Sequence, residues 1–124
     1  MSAQSALVTG LVAIAGSGSC LPKFAKADIA AATTDGAVIT AVSGKKILVL
    51  DFKLSTVTAA TTATFNSKPA GAGTAISSVY NAPVGFSGSG FNQLGHFETN
   101  SGEGLTVTTG VGNSVGVQVT YIEV

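Results

Sequence analysis

The chain has 124 residues, six lysines against six acidic residues, no arginine and no net charge. There is no cationic excess to neutralise phosphates and no guanidinium to read base edges, which argues against nucleic-acid binding. One His, one Cys, one Met, no Trp and only 10% charged residues leave few groups that move protons, attack carbon or hold metals, so the chain reads as a protein that acts through shape and surface rather than as an enzyme. The length suits a single domain with one core, and a positive mean hydropathy of +0.48 with low charge argues against disorder. A neutral surface favours association, either self-assembly or docking on a larger body.

Residues 1–20 open with an apolar run, Ala6 to Ala15, followed by small residues up to Cys20. No Lys or Arg precedes the run, and Ser17 stands where a lipoprotein box has Leu, so the segment is read as folded structure rather than an export signal. The run is too short to span a bilayer. An extended arm buried on both faces is expected there. Residues 21–36 read as loop with one helical turn, ending in the turn signal Thr33-Thr34-Asp35-Gly36. This divides the single domain into an N-terminal arm and loop (1–36) and a β-sandwich (37–124).

From residue 37 the hydrophobic period is two almost everywhere. Strands are expected at Ala37–Val42 and at Lys45–Leu54, where Leu48, Leu50, Phe52 and Leu54 are assigned to one face and Asp51 and Lys53 to solvent. Val57–Phe65 alternates apolar residues with Thr, a β-branched residue that fits a solvated pleat. Thr74–Tyr80 and Phe91–Thr99 follow as strands, separated by Asn81 to Gly90, the longest irregular stretch. Leu105–Thr109 and Val115–Tyr121, joined by a Gly/Asn turn, make the strongest hairpin signal. Many short strands with regular turn signals and no intervening amphipathic helix predict an all-β antiparallel sandwich, jelly-roll-like, with an extended N-terminal arm.

The constellations that carry chemistry are sparse. His96 and Glu98 share a strand face, but no Ser lies in a nucleophile elbow, and an exposed His beside a carboxylate is ordinary surface; no catalytic residue is assigned. Cys20 and His96 are too few for a structural zinc site, and the six acids are scattered rather than gathered in a calcium loop, so no metal or cofactor is assigned. Gly85 to Phe91 lacks the Lys-Ser/Thr of a phosphate-binding loop and reads as a flexible closing loop, with Phe86 and Phe91 pinning it to the core. Lys23-Phe24-Ala25-Lys26 is the one small cationic patch with an aromatic, either touching an acidic partner or forming a solvated loop.

The closing third carries a resemblance. Asn92-Gln93-Leu94-Gly95-His96-Phe97-Glu98-Thr99, then Gly102-Glu103-Gly104-Leu105, then the terminal strand Gly116 to Val124 resemble the closing portion of small β-rich virion proteins of tailed bacteriophages. The resemblance implies a jelly-roll-like sandwich, a homotrimer, and a place on the virion surface as a head decoration (cement) protein whose partner is the major capsid protein. It implies no catalytic residues. The expected function is a structural one, binding the outer capsid surface and bridging coat subunits, with no nucleic-acid or membrane partner. The alternative is a receptor- or carbohydrate-binding module of a phage tail or fibre. Residues 1–20 are the expected contact with the shell, since an extended arm can add a strand to an exposed edge through its main chain.

Overall fold

Alternation of Val115, Val117, Val119 and Tyr121 with Gly116, Gln118 and Thr120 builds the central strand of one sheet, apolar side chains inward and polar ones outward. In this computed structural model residues 21–124 are described, together with the backbone of Val12–Ile14 (β1) and Gly18–Cys20 (β2), which pair antiparallel. The remaining strands in chain order are Lys23–Ile29 (β3), Gly36–Ile39 (β4), Ile47–Thr56 (β5), Thr61–Lys68 (β6), Thr74–Ala75 (β7), Tyr80–Ala82 (β8), Gly85–Gly88 (β9), Phe97–Glu98 (β10), Gly104–Thr109 (β11) and Val115–Glu123 (β12). They form two five-stranded antiparallel sheets. The first has the order β10-β5-β12-β3, with β9 also on β5; the second has β4-β11-β6-β7, with β8 also on β6.

This order is a jelly roll. The first full strand pairs with the last (β3 with β12), the next with the next to last (β4 with β11), and the inner pairs are β5 with β9 and β10, and β6 with β7 and β8. Such nesting wraps an antiparallel ribbon into two facing sheets. The expected all-β antiparallel sandwich is therefore observed. The core between the sheets holds Val49, Leu54, Phe65, Leu105, Val107 and Val117, and an aromatic cluster closes one side. In that cluster Phe65 lies 5.2 Å from Phe52 and 4.9 Å from Phe97, centroid to centroid.

Several expectations are corrected. Residues 23–29 are a strand, not loop with a helical turn, and the sandwich includes them. Ala25, Ala27 and Ile29 pack inward while β12 holds the strand in full register, Val115 opposite Ile29 and Tyr121 opposite Lys23. Leu105–Thr109 and Val115–Tyr121 are not a hairpin: β11 belongs to one sheet and β12 to the other, so the turn 110–114 crosses the sandwich. Both strands carry an inward apolar face, and a five-residue connection serves a crossover between sheets as well as a reversal within one. The Asn81 to Gly90 stretch contains β9 and the end of β8 rather than a flexible loop. Conversely, Phe91–Thr99 contributes only Phe97–Glu98 as strand, and Val57 lies outside a strand that begins at Thr61.

Leu48, Leu50, Phe52 and Leu54 do not share a face. The β12 register passes from Thr120 opposite Asp51 to Tyr121 opposite Val49, leaving Leu50 as the extra residue of a bulge. Ile47 and Val49 therefore join Phe52 and Leu54 in the main core, and Leu48 and Leu50 form a second cluster with Ile122. Gly95, at φ +88°, lies over this cluster so closely that a Cβ would collide with Leu48. The reading of residues 1–20 as an extended arm lies outside the described residues, apart from the backbone of β1 and β2.

Candidate functional site

Two surfaces stand out, and the fold assembles both from distant parts of the chain. One is an end of the sandwich. Four connections meet there: residues 30–34, 57–60, 83–84 and 110–114. Main-chain bonds tie them to one another and to the neighbouring strand ends, Ala32 N–H to Gly110 O at 2.8 Å, Gly110 N–H to Thr62 O at 2.9 Å and Thr56 N–H to Pro83 O at 3.0 Å. Side chains add to this: the Thr61 hydroxyl donates to Val111 O at 2.9 Å, and the Thr109 hydroxyl donates to Ala30 O at 2.6 Å. The first of these connections runs on to Asp35, whose carboxylate is turned away from this end to Thr106 and Gly73; the four connections contain no other charged residue. Their tips expose Val57 (88%), Val84 (55%) and Val111 (81%) beside alanines and threonines. An end whose projecting tips are apolar and whose connections are tied down has little conformational freedom to lose on contact.

The second surface is the outer face of the β3–β12–β5–β9 sheet, where paired register aligns side chains in rows. Phe24, Thr120 and Asp51 form one row; Lys26, Gln118 and Lys53 the next; Asp28, Gly116, Ser55 and Phe86 the third. Two adjoining depressions of about 420 and 410 Å³ lie over these rows and share Lys26, Lys53 and Gln118. Phe24 (79% exposed) borders one and Phe86 (69% exposed) the other. The Lys53 ammonium lies 5.9 Å from the Phe86 ring centroid, within cation–π reach. Gly116 has no side chain, so the floor between Asp28 and Ser55 is backbone.

The residues singled out in the sequence are placed as follows. Lys23-Phe24-Ala25-Lys26 is not a solvated loop: Phe24 and Lys26 line the sheet-face depressions, and Lys23 pairs with Glu123 at 3.0 Å. The hydrogen bond to Glu123, and then its negative charge, raise the Lys23 pKa above the ordinary lysine value. His96 and Glu98 do not pair. The His96 Nε2 lies 2.7 Å from Gly90 O, its ring stands edge-on to Phe52 at 5.6 Å, and Glu98 instead meets Lys46 at 3.4 Å. Phe86 and Phe91 are both exposed, so neither pins the Gly-rich segment to the core as expected. That segment is held instead by β9 pairing and by Ser89, which receives the Phe52 N–H at 2.9 Å and donates to Asp51 at 3.0 Å. The Cys20 side chain lies outside the described residues. Among the described residues no group of three or more His, Cys, Asp or Glu side chains gathers as metal ligands would.

Sequence reading missed the convergence of Phe24 and Phe86, which depends on non-local strand order. The local signal was the period-two placement of Phe24, Lys26 and Asp28 against Ala25, Ala27 and Ile29. Comparison with family models, with curated proteins and with solved structures finds no match to this chain. The class it falls into is therefore set by architecture alone: an antiparallel jelly-roll module with an uncharged loop end and an aromatic-bordered sheet face.

Proposed function

We propose that this protein is a structural virion protein, a decoration or cement protein that binds the outer surface of a capsid and bridges coat subunits. The observation that carries the reading is an end of the jelly roll whose projecting side chains are uncharged: Val84 and Val111 stand on connections held by main-chain hydrogen bonds, and Val57 on the β5–β6 connection beside them, where the Thr58 hydroxyl bonds to Asn113. Burying three valines against a shell contributes about 1.5 kcal/mol each, enough for firm attachment once many copies and several contacts per copy act together. The zero net charge removes long-range repulsion between neighbouring copies on a crowded surface. The resemblance of the closing third to phage virion proteins supports the same reading, and with it a homotrimer on the particle.

The test is the ratio of this chain to the major coat protein in purified particles. A near-stoichiometric ratio is expected. A triple variant, Val57→Lys, Val84→Lys and Val111→Lys, should lose particle association while melting at the native temperature. A ratio corresponding to a handful of copies would move the protein to a tail or fibre, and absence from particles would refute the virion reading altogether.

A further inference from the structure

We propose that the outer face of the β3–β12–β5–β9 sheet is a groove for a neutral oligosaccharide, lying diagonally between Phe24 and Phe86. This inference is independent of capsid attachment, which uses the loop end.

The first support is dimension. Phe24 and Phe86 sit on strands three spacings apart and four residues out of step along the strands, a diagonal of about 20 Å from standard strand spacing and rise. The two depressions run along this diagonal and meet at Gln118. A sugar chain of a few rings is long and narrow enough to occupy both, whereas a compact small molecule would fill only one.

The second is chemistry. Sugar hydroxyls both donate and accept hydrogen bonds, so their complement is a surface that alternates the two. Lys26 and Lys53 donate only, Asp28 and Asp51 accept only (Asp51 already takes one bond from Ser89), and Gln118 between the lysines does both. The two cations and two carboxylates cancel, so the groove selects against a strongly charged ligand. Among the described residues Lys26, Lys53, Asp28 and Gln118 take part in no side-chain hydrogen bond or ion pair, and both ion pairs there involve other residues.

The third is the pair of aromatic borders. A polar sheet face exposed only to water has no use for two large apolar rings at its opposite corners. Rings so placed offer flat apolar platforms for the C–H faces of pyranoses, and the Lys53 ammonium lies within cation–π reach of one of them. Main-chain groups of β12 and β5 are already paired on both edges, so the face presents side chains and cannot add a strand.

The experiment screens the intact protein against an array of neutral hexose and N-acetylhexosamine oligosaccharides, with uronic-acid and sialylated chains beside them. The strongest neutral probe is then titrated while the amide spectrum is followed. The expected result is binding of a neutral probe, with shifts at the Gln118 side-chain amide and the backbone of Lys26 and Lys53. Phe24→Ala and Phe86→Ala should each weaken that binding roughly five- to tenfold, and Gln118→Ala by a similar factor, with unchanged melting. Four results would overturn the proposal: no neutral probe binds; only acidic probes bind, and salt abolishes it; the same resonances shift with protein concentration alone, marking a second copy as the occupant; or the phenylalanine variants bind as the native protein does.

Discussion

The outer faces of the two sheets are built from similar polar residues and use them in opposite ways. On the β4–β11–β6 face the polar groups are bonded to one another. The Asp35 carboxylate accepts from the Thr106 hydroxyl and from the Gly73 N–H, each at 3.0 Å, and Thr108 accepts from Asn66 Nδ2 at 2.9 Å. Thr106 and Asn66 are buried as a result. On the β3–β12–β5–β9 face Lys26, Lys53, Asp28 and Gln118 stand beside two depressions and outside any such network of described residues. A polar face that satisfies itself is structural cover over a sheet; one that holds donors and acceptors apart, between exposed rings, is arranged for something else.

The comparison breaks most severely if the common core is removed from beneath both faces. Phe65 is fully buried and touches Phe52, Phe97 and Tyr80 across the sandwich. Phe65→Ala should cost about 3–5 kcal/mol, read as a fall in the denaturant midpoint. A cost below about 1 kcal/mol would mean that the aromatic cluster is not the centre of the core. The next effect is on the self-satisfied face. Asp35 has φ +54°, a left-handed conformation that Asp and Asn tolerate better than Ala. Asp35→Ala loses two bonds to a carboxylate and strains the backbone, for an expected cost of about 2–3 kcal/mol. Asp35→Asn keeps the backbone preference and one acceptor and should lose about half of that. Equal losses for the two variants would show that the carboxylate bonds, rather than the backbone conformation, dominate there.

The two faces were not equally legible. β5 and β12 were evident because their inward residues are large and branched, but the bulge at Leu50 was not. One extra residue reverses which side chains face inward, and nothing in Leu48-Val49-Leu50-Asp51 marks where it falls. β3 escaped because its inward residues include Ala25 and Ala27, poor strand formers, while its outward face carries Phe24. β9 escaped because Gly and Ser show no alternation, although main-chain pairing with β5 needs none. The sequence marks Phe24 and Lys26 as a patch, and Asp51 and Lys53 as solvent-facing, yet their convergence on Gln118 follows from sheet order. A sheet that places the first strand beside the last, and the last beside a middle one, brings together residues that no local pattern connects.

The contrast sharpens with substitutions that leave the core untouched. Phe24→Ser and Phe86→Ser remove the borders of the polar depressions, and because both rings are exposed each should change stability by less than about 0.5 kcal/mol. Set beside Asp35→Ala, that result would separate a face kept for folding from one that folding does not require. A loss above about 2 kcal/mol from either serine variant would show that the ring packs as part of the fold.

The smallest expected effect lies at the edge of the open face, where Lys23 at the start of β3 meets Glu123 at the end of β12. The pair is exposed, so its contribution is slight and screened by salt. Its sign is nevertheless fixed by linkage. The folded-state pKa of Lys23 is raised, first by the hydrogen bond to Glu123 and then by its charge. The stabilisation is therefore complete below the ordinary lysine value of 10.5 and disappears as the pH rises through the higher folded value. Other lysines and tyrosines titrate in the same range, so the informative quantity is the stability difference between the native protein and Glu123→Gln, followed from about pH 9 to 12 at low salt. That difference should shrink steadily with pH and vanish once Lys23 is neutral in both states. A difference that stays constant across the range would mean that Glu123 supports β12 by packing, and that the first and last strands of the sheet are joined by main-chain pairing alone.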